Sequence, residues 1–183
     1  KANVTVSFDG GPATEIYRYE SAQSSASYHP VALSETIVIP IKNPAGAKTM
    51  TITYGYFDTL NNWWFAIDNL LVVADPAPVF FEDFEGLALG PNVEEGITTG
   101  SGGAQAAVWT KTPPSGWSID DSGVPGHGTD QDGVTEWAGW SFAKREWWAA
   151  TAGDQNRTKF TKGVGTVAIA DSDEWDDIKP HAA

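Results

Sequence analysis

Cysteine is absent from the 183 residues, so neither a disulfide nor a thiolate metal site can hold this chain together. Packing or bound ions must do that work, and an extracellular protein is not excluded. Basic residues are scarce, with 11 Lys and Arg against 24 Asp and Glu for a formal net charge of -13. A field of that sign repels nucleic acid and anionic lipid and favours divalent cations. No run of ~18 apolar residues marks a spanning helix, so membrane insertion is not expected. No signal peptide is visible either, so the chain reads as a mature protein or a fragment. Catalytic signatures are also missing. His29, His127 and His181 are scattered, with no His-x-His or His-Glu-x-x-His pair, and there is no Gly-x-Ser-x-Gly elbow.

What is present is β-forming. Hydrophobic residues make up 41% and aromatics 12% of the chain, with 19 Gly, 11 Pro and nine Trp. That is too apolar for disorder and too rich in Gly and Pro for a helical bundle. The alternation in "NVTVSF", with Val4, Val6 and Phe8 in one row, predicts a strand, and "DGGP" after it a turn. Further strands are expected at 14–20, 35–41 ("ETIVIPI"), 48–57 and 63–73 ("WWFAIDNLLVV"), the last nearly continuously apolar. Beyond "ADPAP", residues 79–86, 107–112 and 165–172 read as strands. The latter part of 134–150 is the one plausible short helix. The fold class is all-β and antiparallel.

The clearest boundary falls inside the chain. Residues 61–86, "NNWWFAIDNLLVVADPAPVFFEDFEG", read as the end of one β-domain and the start of another.

The stretches "FFEDFEG", "VWTKTPPSGWSIDD", "DGVTEWAGWSFAKREWW" and "DQNRTKFTKGVGTVAIADSDEWDD" resemble the first half of a jelly-roll domain. That domain accompanies secreted bacterial metallophosphoesterases and other large extracellular proteins. "ANVTVSFDGG" and "ETIVIPIKNPAGAKTMTITYGYFDTLNNWWFAIDNLLV" resemble its second half, and "EDFEG" and "AIDNL" are more distantly similar to strands of MAM-type jelly rolls. Together these stretches cover nearly the whole chain, but in reversed order. The resemblance implies a jelly-roll β-sandwich built from residues 1–75 as a C-terminal half, a Pro-rich joint at 76–78, and residues 79–183 as an N-terminal half. Three arrangements meet that expectation: a piece of a tandem array, a subunit completed by strands of a neighbouring copy, or a circular permutant whose halves pack together.

The resemblance to MAM-type domains implies calcium, with Asp68 and an acid of "EDFE" as ligands. Hard cations want several oxygens, and Asp68 and Asn69 lie on one strand while Glu82, Asp83 and Glu85 lie on the other. The competing reading is that Asp68 caps a turn or binds backbone N–H groups and the glutamates face water. Asp130, Asp132 and Glu136 share a Gly-containing loop without full EF-hand spacing, a pattern more often a solvated turn than a metal site. Trp63 and Trp64, and Trp147 and Trp148, are adjacent pairs in which one ring can enter the core while the other stacks on a sugar. Trp117, Trp137 and Trp140 read as core. "EWDDI" resembles part of the Glu-x-Asp-x-x-Glu strand of jelly-roll glycosidases, but Lys179 stands where the third acid belongs. Two Asn-x-Thr sequons begin at Asn3 and Asn156.

The expectation is a non-catalytic, secreted, cell-surface structural or adhesive module. Its partners are copies of itself or neighbouring repeats, and calcium stabilises it. A carbohydrate-binding accessory module of a secreted hydrolase, with polysaccharide as partner, is the alternative.

Overall fold

A computed structural model describes residues 1–30, 33–59, 64–74, 77–90, 108–124, 139–151 and 155–172. The chain divides into two compact units, Lys1–Thr59 and Leu60–Ala183. The first unit is one antiparallel sheet of three strands, β1 (Ala2–Phe8), β2 (Thr14–Tyr19) and β3 (Met50–Tyr56), with β1 in the middle. Register puts Val4 opposite both Tyr17 and Tyr54, and Ala2 opposite both Tyr19 and Tyr56. Directly paired residues share a face, so four tyrosines flank the buried Ala2, Val4 and Val6. The other face carries Asn3, Thr5, Glu15, Arg18 and Thr53 and is polar. The turn after β1 is fastened by Asp9, whose carboxylate accepts from the backbone N–H of Thr49 at 2.9 Å and of Lys48 at 3.0 Å.

The strand expected at 35–41 does not form. Residues 33–49 lie outside any ladder although Ile37, Val38 and Ile39 alternate in exposure. Pro40 has no N–H to donate to a ladder, and β-branched composition alone does not make an extended stretch a strand.

The second unit holds a four-stranded sheet and a two-stranded one. The first has the order β4 (Trp64–Ile67), β9 (Thr166–Asp171), β8 (Trp140–Lys144), β7 (Trp109–Thr110); the second pairs β5 (Leu70–Ala74) with β6 (Ala77–Glu82). All the pairings are antiparallel. The stretch expected as one strand over 63–73 is therefore two. Asn69 takes a left-handed φ of 53° and turns the chain from one sheet into the other. Residues 64–74 find their partners within the same chain, in β9 and β6. Within the Pro-rich segment, Pro78 lies on β6 opposite Val73, beside a bulge. A ring nitrogen that cannot donate is tolerated there because, among the described residues, β6 is an edge strand.

β9 is buried along its whole length and sends its side chains into two cores. On one side Val167 and Ile169 meet Val108, Trp109, Ala143, Trp147, Trp148 and Phe160; on the other, Ala168 meets Phe84 and Phe142. Helix α1 (Arg145–Thr151) supplies the paired tryptophans to the first core. Burying a side chain the size of Phe84 is worth about 1.5–3 kcal/mol. Among the described residues no helix is long and apolar enough to cross a membrane.

Candidate functional site

The chain reversal at Asp68–Asn69 and the "EDFEG" turn after β6 bring four carboxylates to the ends of neighbouring strands. Asp68 takes its own neighbour first. Its Oδ1 accepts from Asn69 N at 2.7 Å, and its Oδ2 from Asn69 Nδ2 at 2.8 Å and from Val164 N at 3.0 Å. Glu82 Oε1 accepts from Phe84 N at 2.7 Å, and Asp83 Oδ1 from Glu85 N at 3.2 Å. These two bonds fix a turn that holds the fully buried Phe84 at a φ of 60°. A bulky residue enters that region only where its surroundings hold it. Glu85 reaches across to Thr166 N at 3.0 Å.

Asp68 and Glu85 therefore bind the backbone on either side of Gly165, one through Val164 N and one through Thr166 N. Gly165 has a φ of 61°, and any Cβ there would run into the Glu85 carboxylate. The glycine is what lets that carboxylate lie against the chain. Burial pushes the Asp68 carboxyl up from its ordinary value. The N–H groups of Val164 and Asn69 oppose that shift, and the charges of Glu85 and Asp83 add to it. None of the ion pairs among the described residues involves these four acids.

Hard oxygens carrying uncompensated negative charge suit calcium chemically. The geometry is less complete: among the described residues no three His, Cys, Asp or Glu side chains come together as metal ligands. Each of the four acids spends an oxygen on backbone N–H, as expected of Asp68 on the turn-capping reading. The weaker set, Asp130, Asp132 and Glu136, lies outside the described residues, as do Trp63, Trp137, Glu174 and Asp176.

The Trp147–Trp148 pair needs correction. Trp147 is only 9% exposed and Trp148 not at all, so neither offers a face to a sugar. They lie on the helix expected in the latter part of 134–150, where neighbours are about 100° apart, and a helix pressed into a core buries both. Trp64 is half-buried. Its Nε1 donates to the Gln155 carbonyl at 2.9 Å, and its ring meets Trp148 edge-on at 5.0 Å.

One site was missed by the sequence reading. Arg157 and Asp171 form a fully buried ion pair at 2.8 Å. The same Asp171 oxygen accepts from Trp148 Nε1 at 3.0 Å, while Arg157 donates to the Trp148 carbonyl and to Gln155 Oε1. Its only sequence signal is an acid ending the apolar run "TVAIAD". The Asn156 sequon lies on the turn that carries Arg157, and Asn3 donates to Glu15 Oε2 at 2.8 Å.

Compared with protein families, curated proteins and solved structures, the chain matches none.

Proposed function

We propose that the chain is a non-catalytic structural or adhesive module of a secreted or cell-surface assembly, joined to further copies of itself through the β5–β6 hairpin. One observation carries this reading. Among the described residues the two-stranded sheet has no third strand on either side, and its outward row is apolar: Leu71 is 55%, Val73 54%, Val79 62% and Phe81 56% exposed. Leu71 stands directly opposite Phe81, so these side chains form one patch. An open edge beside an uncharged patch favours pairing with another chain. With a net charge of -13, an uncharged patch is a place where copies can meet with less repulsion. The jelly-roll resemblance in reversed order fits a unit whose sheet is completed by a second copy, and calcium at Asp68, Asp83 and Glu85 would relieve the mutual repulsion of those acids.

Light scattering on size-exclusion fractions tests the reading. The wild-type chain is expected to assemble with concentration, and Val79→Lys and Phe81→Lys to be monomeric with unchanged circular dichroism. A wild-type protein that stays monomeric throughout refutes it.

A further inference from the structure

In the first unit, far along the sequence from these acids, four polar side chains close into a ring. Tyr17 Oη lies 3.1 Å from His29 Nε2, and His29 Nε2 lies 3.9 Å from Glu35 Oε1. Glu35 and Tyr17 are also close enough to the Tyr19 phenol to act on its charge. Each donor atom therefore neighbours two others, in the order Tyr17, His29, Glu35, Tyr19.

The fold builds this ring from short-range elements. Tyr17 and Tyr19 are two apart on β2 and share its aromatic face, their rings edge-on at 4.7 Å. The chain then loops back. Glu20 N donates to the Ser27 carbonyl and His29 N to the Glu20 carbonyl, both at 2.9 Å. That closure lays the imidazole against Tyr19, with ring centroids 4.4 Å apart.

The histidine is also oriented from behind. Its Nδ1 is 3.1 Å from the Ser27 carbonyl oxygen, which can only accept. Nδ1 therefore carries the proton, and in the neutral ring Nε2 presents a lone pair to Tyr17 and Glu35. A backbone carbonyl on the far nitrogen is the outer-shell device that fixes metal-ligating histidines.

We infer that Tyr17, Tyr19, His29 and Glu35 form a transition-metal site of one imidazole, one carboxylate and two phenol oxygens, suited to Cu2+. Metal–donor bonds of about 2.0–2.2 Å place neighbouring donors roughly 3.0–3.4 Å apart. The Tyr17–His29 spacing already fits. The His29–Glu35 spacing must shorten by roughly half an ångström, which the half-exposed Glu35 side chain can supply by rotation. Nitrogen and oxygen donors suit Cu2+, which also leads the divalent affinity order. The His29 and Glu35 side chains are 28% and 36% exposed, so an ion can enter from solvent. Binding displaces the Tyr17 and Tyr19 phenol protons to solvent. Because binding releases these protons, affinity should grow with pH.

The test uses the whole chain, stripped of metal and titrated with copper chloride in the presence of glycine as a competing ligand. The expected result is one equivalent bound, with a phenolate-to-copper charge-transfer band in the visible spectrum. Because every tyrosine lies in residues 1–59 and every tryptophan beyond them, such a band reports this unit alone. Tyr17→Phe and Tyr19→Phe keep the rings and should each weaken the band and lower affinity at least about tenfold, the lower end of what outer-shell changes cost. His29→Gln should abolish stoichiometric binding. If wild-type protein binds copper without the band, or the band survives both Tyr→Phe substitutions unchanged, the ion is adventitious and the site is refuted.

Discussion

Replacing Asp171 with asparagine leaves the side chain's shape nearly unchanged and removes its charge, and the second unit should lose much of its stability. In the native protein one carboxylate oxygen takes two bonds, from Arg157 Nη2 at 2.8 Å and Trp148 Nε1 at 3.0 Å. After the change the Arg157 guanidinium keeps only neutral acceptors among these partners, Gln155 Oε1 at 3.0 Å and the Trp148 carbonyl at 2.9 Å. Its positive charge stays fully buried. Removing one partner of a buried pair typically costs about 3–5 kcal/mol, because an uncompensated charge is left behind. Against a total of roughly 5–15 kcal/mol for a domain that is about a fifth or more. It should lower the melting temperature by roughly 10–20 °C for a unit of this size.

The assay is selective. All nine tryptophans lie in Leu60–Ala183, so urea unfolding followed by tryptophan fluorescence reports that unit without interference from the first. The double substitution Arg157→Met with Asp171→Leu removes both charges and should recover to within about 1–2 kcal/mol of wild type, since apolar replacement of a buried pair is often neutral. If Asp171→Asn costs less than about 1 kcal/mol while the double substitution is no better, the pair is not the unit's electrostatic anchor. The reasoning then fails at its central step.

Gly165→Ala should cost about 1–3 kcal/mol through its left-handed φ alone, with a further loss as the Glu85 carboxylate is driven off Thr166; an unfolding curve matching wild type would contradict this. Calcium at 100 times its dissociation constant should stabilise the second unit by about 2.7 kcal/mol, and Asp68→Ala should remove most of that gain. Identical melting in chelator and in calcium refutes the site. Asp9 is held below the usual carboxylate range by the Thr49 and Lys48 backbone N–H groups, so its contribution is present above the ordinary pKa and lost as pH falls through the depressed one. Relative to its intrinsic rate, amide exchange at Lys48 and Thr49 should therefore quicken in wild type as pH falls through that depressed value. It should be fast and pH-independent in Asp9→Ala, apart from the intrinsic exchange rate.

Alternation was enough to find most strands, because a sheet with one buried face writes period two into the sequence, as at Val4 and Val6. It failed at 35–41 because ladder partners are a property of the whole sheet, which no local pattern reveals. At 63–73 apolar continuity hid a reversal. The signal was there in "DN", since Asn tolerates the left-handed region and Asp bonds its neighbour's amide. The acids at 68, 82, 83 and 85 were recognisable as a group, but not their work. Sequence cannot tell a carboxylate that accepts from backbone N–H from one that awaits an ion. Arg157 and Asp171, 14 positions apart, were invisible because pairing across a core leaves no spacing rule.

The division at Thr59 and Leu60 had a visible signature after all. Tyr17, Tyr19, Tyr28, Tyr54 and Tyr56 are the only tyrosines, and the first tryptophan is Trp63. The two units solve the problem of aromatic burial differently. A single three-stranded sheet has one buried face with water at its margins, and phenols suit that margin because their hydroxyls can reach solvent or one another. A four-stranded sheet covered on both sides needs the larger volume of indole. The same difference places chemistry. Phenol oxygens gathered at a half-wet edge are available to an ion, whereas the Trp148 N–H is consumed by Asp171 inside the core. If function follows that division, substitutions in the tyrosine ring should change metal binding without moving tryptophan-detected unfolding, and Asp171→Asn should do the reverse. Cross-effects of similar size in both assays would mean that the two units do not act independently.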